Sequence, residues 1–153
     1  MNKWQSAYMD VAERFASLST ARKLKVGAIV VKDNRVLSIG YNGMPSGWDN
    51  NCEIETKPFW MDWKASEEDM NVGLIDLKTK PEVIHAEMNC LCKLAASNES
   101  GKDAAIYITH APCIECAKMI YASGIKEVFY RTEYRDTRGI KFLEKCKLGV
   151  TKI

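Results

Sequence analysis

The chain has two histidines, His85 and His110, and each stands in a stretch that also carries cysteine: IHAEMNC (84–90) and THAPCIEC (109–116). Imidazole nitrogen and thiolate sulfur are ligands that zinc takes readily, and His85, Cys113 and Cys116 offer three of them. Three protein ligands leave one position open, where a divalent ion can activate water at neutral pH. Cys113 and Cys116 are three residues apart, so at the start of a helix they project from one face, and Pro112 ahead of them suits a helix entrance. Helix amino termini at both motifs aim positive dipole ends at the site and favour thiolate over thiol.

Glu87 follows His85 by two positions, about 200° around an ideal helix, so the two do not share an ion from one helical face. The carboxylate is instead placed to reach past the ion and carry protons. H-x-E followed by P-C-x-x-C is the signature of zinc nucleobase deaminases, and HAE with PCIEC matches it in full. The rival reading is a structural zinc module, which needs a fourth protein ligand to close its shell. His110 and Cys52 are conceivable candidates for it; outside that reading, His110 is a local structural residue. Both half-motifs standing together at predicted helix starts favour the catalytic reading.

These groups need elements to hold them. Trp4, Tyr8, Val11, Phe15 and Leu18 recur at steps of four and three and predict an amphipathic helix from Asn2 to Ser19. VGAIVV (26–31) and VLSIG (36–40), joined by KDNR, read as a β-hairpin. Ile84, Met88, Leu91 and Leu94 predict a helix that starts at the first motif. A strand over Ala104–Thr109, a helix over Cys113–Ala122, the strand KEVFYR, the helix RGIKFLEKC and a last strand LGVTKI follow. That alternation predicts parallel pairing and an α/β layered fold. The stretch between Gly40 and Ile84 is too long for an ordinary connection and holds Trp48, Trp60 and Trp63. It reads as an ordered, Trp-rich insertion, about 44–83, near the active site or a subunit contact. The whole of 1–153 reads as one domain.

Twenty-two basic and 20 acidic residues give a net charge of +2, without the basic excess of a duplex-binding protein, so a small substrate is expected and nucleic acid is not. No apolar run is long enough to cross a bilayer and no signal peptide is evident, which reads as a soluble, cytoplasmic protein with reduced thiols. Cys52, Cys90, Cys92 and Cys146 are read as small buried hydrophobes. The cations of TARKLK (Arg22, Lys23, Lys25) and RTEYRDTR (Arg131, Arg135, Arg138) are read as solvated surface residues.

Taken together, GYNGMPSG (40–47), HAEMN (85–89) and PCIECAKMIYASGIKEVFY (112–130) resemble the deoxycytidylate deaminases of the zinc-dependent cytidine deaminase superfamily, over about Val26 to Tyr134. The metal motifs mark the superfamily; GYNGMPSG points to the mononucleotide branch. The resemblance implies a cytidine deaminase-like three-layer α/β fold, with a five-stranded mixed sheet flanked by helices. It implies hydrolysis of dCMP to dUMP and ammonia, with catalytic zinc on His85, Cys113 and Cys116 and with Glu87 as base and then acid. It also implies a homo-oligomer, commonly a hexamer, activated by dCTP and inhibited by dTTP, each bound with magnesium. By motif position Asn42 contacts the sugar hydroxyl, the Ala86 N–H meets the pyrimidine carbonyl, and Tyr134 lines the substrate pocket. Tyr41, Asn42 and Gly43 fall in the segment associated with the regulatory nucleotide. From the residues alone, YNG is a turn with Gly43 at positive φ. A nucleoside deaminase and a tRNA deaminase of the same superfamily are the alternatives; GYNGMPSG weighs against the first and the balanced charge against the second.

Overall fold

The computed structural model describes residues 1–56 and 75–153. Its first element is helix α1 (Lys3–Ala16), closed at its start by a capping box in which Asn2 Oδ1 accepts from the backbone of Trp4 and Gln5, and Gln5 returns a bond to Asn2 N. Strands β1 (Gly27–Lys32) and β2 (Arg35–Tyr41) form the expected hairpin. Its two-residue turn, Asp33 and Asn34, has φ of 51° and 57°, the left-handed pair that matches the twist of flanking strands. Strands β3 (Glu53–Thr56) and β4 (Asp76–Thr79) pair antiparallel as a separate two-stranded sheet. Then come α2 (Ala86–Ala95), β5 (Ala105–His110), α3 (Ile114–Ala122), β6 (Glu127–Thr132), α4 (Arg138–Lys145) and β7 (Gly149–Lys152).

The main sheet has the order β2-β1-β5-β6-β7. β1 runs antiparallel to β2 and β5, while β5, β6 and β7 are parallel. Alternation along the strands sorts the core into two layers. Ile29, Val31, Tyr107 and Phe129 meet Tyr8, Met9 and Ala12 of α1 on one face. Ala28, Val30, Ile106, Ile108 and Val128 meet Leu91, Leu94, Ala117, Ile120 and Leu143 of α2, α3 and α4 on the other. The result is one helix, a mixed five-stranded sheet and three helices, as the strand–helix alternation implies.

Three readings of the sequence need correcting. Trp4 and Leu18 lie outside the buried stripe of α1, at 51% and 47% exposure, and Met9 and Ala12 are the fully buried positions. Trp4 stands in the first turn of α1, and Leu18 lies two residues past its end. Gly43 is no positive-φ turn: it forms a β-bridge with Ile84, through Gly43 N to Ile84 O at 3.1 Å and the return bond at 2.9 Å, and positive φ falls on Gly47 instead. Cys92 is exposed, whereas Cys52 and Cys90 are buried. Within the insertion, β3 and β4 flank residues 57–74, so Trp60 and Trp63 lie outside the described residues.

Candidate metal centre and active site

Both motifs begin at helix caps. His85 is the N-cap of α2, with φ −67° and ψ 153°, and Cys113 is the N-cap of α3, with φ −67° and ψ 168°. His85 is therefore an extended residue rather than a helical one. Two close contacts press these caps together. At Gly40 of β2 an added Cβ would clash with Ala86 O and stand 2.5 Å from Cys90 N, so the first turn of α2 lies hard against the sheet. At Gly139 in α4 a Cβ would clash with Pro112 O and stand 3.0 Å from Cys113 O. Only glycine lets those backbones approach. The Gly43–Ile84 bridge then ties the exit of β2 to the residue before His85.

His85 Nδ1 lies 3.6 Å from Cys113 Sγ and 3.5 Å from Cys116 Sγ, and all three ligand atoms fall within 4.8 Å of one another. Zinc–nitrogen and zinc–sulfur bonds of ordinary length at a tetrahedral ion separate N from S by about 3.5 Å. The donor set and its spacing fit zinc. Among the described residues no fourth histidine, cysteine or carboxylate joins the group of three. Neither His110 nor Cys52 belongs to it. Cys52 packs with Ala21 and Val83; His110 Nδ1 is 3.0 Å from Thr109 Oγ1, and burial lowers its pKa.

The protons of the cluster are shared. The Cys113 thiol is drawn down to about 4, chiefly by its hydrogen bond with Cys116 and further by His85. Cys116 is raised in turn, by Cys113 above all, and His85 is raised by its contact with Cys113. Binding a cation here displaces those protons. Glu87, in the first turn of α2, is 4% exposed, and burial holds its carboxyl up at about 7 while its own backbone N–H and His85 pull the other way.

A cavity of about 110 Å³ opens beside these groups, lined by His85, Ala86, Glu87 and Cys113 together with Asn42 and Tyr134. Ala86 begins α2, where first-turn N–H groups have no intrahelical acceptor. Tyr134 stands two residues past the end of β6. Each predicted residue thus reaches one wall. Asn42, however, is also a strut: Oδ1 accepts from Val26 N and Nδ2 donates to Leu24 O, both at 2.8 Å. No lysine or arginine lines this cavity among the described residues. Of the cations flagged in the sequence, Arg22 pairs with Glu55, Lys23 Nζ with Leu77 O, Arg131 with Glu13 and Arg138 with Asp136. Tyr41, Asn42 and Gly43 border a second, larger hollow of about 470 Å³ with Met44 to Gly47, Asn89 and Lys93.

Among the wall residues that sequence reasoning missed are Glu53, Thr79 and Val83 of the insertion. Glu53 is the buried one of four strand residues in β3 whose other three are exposed, a pattern too short to read from sequence.

Three convergent metal ligands with an open side, a buried carboxyl beside them and a cavity at the carboxyl ends of parallel strands define a metal-assisted hydrolase. The family described as "Cytidine and deoxycytidylate deaminase zinc-binding region" matches residues 2–132. The chain is 35% identical over 138 residues to the Homo sapiens deoxycytidylate deaminase, covering 88% of this chain and 68% of that one. It is 35% identical over 133 residues to the deoxycytidylate deaminase of Mycobacterium phage D29, covering 85% and 95%. Among solved structures it is similar to the dCMP deaminase of cyanophage S-TIM5 in complex with dCMP and dUMP, with a TM-score of 0.83, 40% identity and coverage of 100% and 99%. The chain belongs to the cytidine and deoxycytidylate deaminase family, and its fold is cytidine deaminase-like.

Proposed function

We propose that the protein hydrolyses dCMP to dUMP and ammonia in the cytoplasm. The observation that carries this is the end-to-end likeness to a deaminase solved with dCMP and dUMP, joined to three-ligand geometry suited to zinc. Zinc on His85, Cys113 and Cys116 would supply the Lewis acidity that lowers the pKa of water to about 7. Glu87 takes the proton of the attacking water, delivers one to N3 of cytosine and passes the next to the leaving amine as C4 loses nitrogen and gains oxygen. Ala86 presents its backbone N–H to the base carbonyl, Tyr134 walls the base, and the second N–H of the Asn42 amide is left for the sugar. Burial of Glu87 excludes solvent that would compete for its proton.

Regulation follows the same reading: a homohexamer activated by dCTP and inhibited by dTTP, each bound with magnesium at the hollow beside Tyr41, Asn42 and Gly43. The test is a dCMP assay with and without each nucleotide and magnesium, alongside light scattering. Conversion of dCMP to dUMP, with a sigmoidal response that dCTP abolishes, is expected. Absence of dUMP sinks the function, and curves insensitive to both nucleotides sink the regulation alone. Deoxycytidine and an adenosine-containing anticodon stem serve as competing substrates and are expected to be turned over poorly.

A further inference from the structure

Glu53 lines the same cavity from β3 and takes no part in the chemistry just described. It is 2% exposed. Its Oε1 accepts the backbone N–H groups of Arg22 at 3.0 Å and Lys23 at 3.1 Å. Arg22 Nε stands 3.6 Å from Oε2, near enough to offset charge but too long for a hydrogen bond. Oε2 itself is buried without a hydrogen-bond partner among the described residues. A buried acceptor left without a donor is costly, and most such atoms in folded proteins are paired. Glu53 therefore places in the cavity wall a buried acceptor that a donor on a bound ligand can satisfy.

We propose that Glu53 is a specificity-determining residue whose Oε2 accepts the 3′-hydroxyl proton of the bound nucleotide. The inference rests on the dCMP reading above. A deoxycytidine 5′-monophosphate carries two kinds of donor. Its 4-amino group has to face Glu87 and the metal ligands, because that is the group to be lost. Its phosphate is an acceptor and is repelled by a carboxylate. The 3′-hydroxyl is the donor that remains. A nucleotide esterified at O3′ has no proton to give and adds negative charge, so the oxygen that selects the mononucleotide also rejects a polynucleotide chain.

Glu53→Gln isolates this role. The amide carbonyl keeps both backbone contacts to Arg22 and Lys23, and an NH₂ replaces Oε2, turning acceptor into donor. The readout is kcat/KM for dCMP relative to 2′,3′-dideoxycytidine 5′-monophosphate. The zinc-loaded wild type is expected to prefer dCMP by about 10²-fold or more, as sites built around a substrate hydroxyl do. Glu53→Gln is expected to lose most of that preference by slowing on dCMP alone. A wild-type ratio near one overturns the proposal, as does a folded Glu53→Gln with an unchanged ratio. Should Glu53→Gln fail to fold, Glu53→Asp, which shortens the reach, is held to the same ratio. Rapid turnover of deoxycytidine 3′,5′-bisphosphate by the wild type also overturns it. A wild type inert on both dCMP and its dideoxy analogue would instead sink the dCMP reading itself.

Discussion

Gly40 lies directly beneath Ala86: a Cβ on the strand residue would run into the carbonyl oxygen of the helix residue. The sheet thereby fixes the height of the first turn of α2, and with it the Ala86 N–H and the Glu87 carboxyl. Gly40→Ala must push that turn outward. Forcing an extra carbon into such a contact costs about 1–3 kcal/mol, read as a lower denaturation midpoint. Turnover should fall further than stability predicts, because Glu87 moves relative to His85. A Gly40→Ala enzyme with wild-type midpoint and turnover would remove this contact from the account.

Glu87→Gln should separate chemistry from folding. Zinc content and fold are expected to persist while turnover drops by about 10² to 10⁴ or more, the usual worth of a general acid–base. Stability should move the other way. In the metal-free protein the folded carboxyl titrates near 7, above its ordinary value of 4.5. Burial is therefore cheap below about pH 4.5 and is penalised as pH rises through 7, by up to about 3 kcal/mol. Metal-free wild type should lose melting temperature between pH 5 and 8, and Glu87→Gln should lose less. Parallel curves for the two proteins would refute the assignment.

The parts legible in sequence are those whose signal is local. HAE sets one ligand and an acid–base group two residues apart, PCIEC sets two ligands three apart, and the structure brings His85, Cys113 and Cys116 together. The hairpin turn at Asp33 and Asn34 and the parallel alternation of β5 to β7 are local as well. What escaped depends on distant partners. Glu53 is buried because β3 pairs with β4 across more than twenty residues and because Arg22 and Lys23 fold over it. Gly43 was mistaken for a turn because its bridge partner, Ile84, lies 41 positions away. Trp4 fits the helical period yet is half exposed, and periodicity alone does not say which turns of a helix the core covers.

Removing the metal is expected to remove activity without abolishing the fold, since neither core cluster includes a metal ligand. Wild-type protein should carry about one zinc per chain, and Cys113→Ala or His85→Ala close to none, because each removes one of the three ligands that converge among the described residues. Chelator treatment should lower the melting temperature, and added zinc should restore both stability and turnover in a concentration-dependent way. Coordination spectroscopy of the loaded enzyme should report two sulfurs, one nitrogen and one light atom from solvent. A fourth protein ligand would revive the structural-zinc reading.

Asn42 joins two roles that a single assay would confuse. Its amide links Val26 N to Leu24 O, bracing the turn that feeds β1, while its side chain also faces the cavity. Asn42→Ala leaves both backbone groups without that partner, so a loss of about 1–3 kcal/mol is expected in addition to weaker substrate binding. Asn42→Asp discriminates further. An aspartate still accepts from Val26 N but sets an oxygen against the Leu24 carbonyl, and only its protonated form can donate there. Relative to wild type, the melting temperature of Asn42→Asp should therefore rise as pH falls from 7 to 5. If it stays parallel to wild type over that range, the link to Leu24 contributes nothing to stability, and any effect on turnover belongs to the cavity side of the amide.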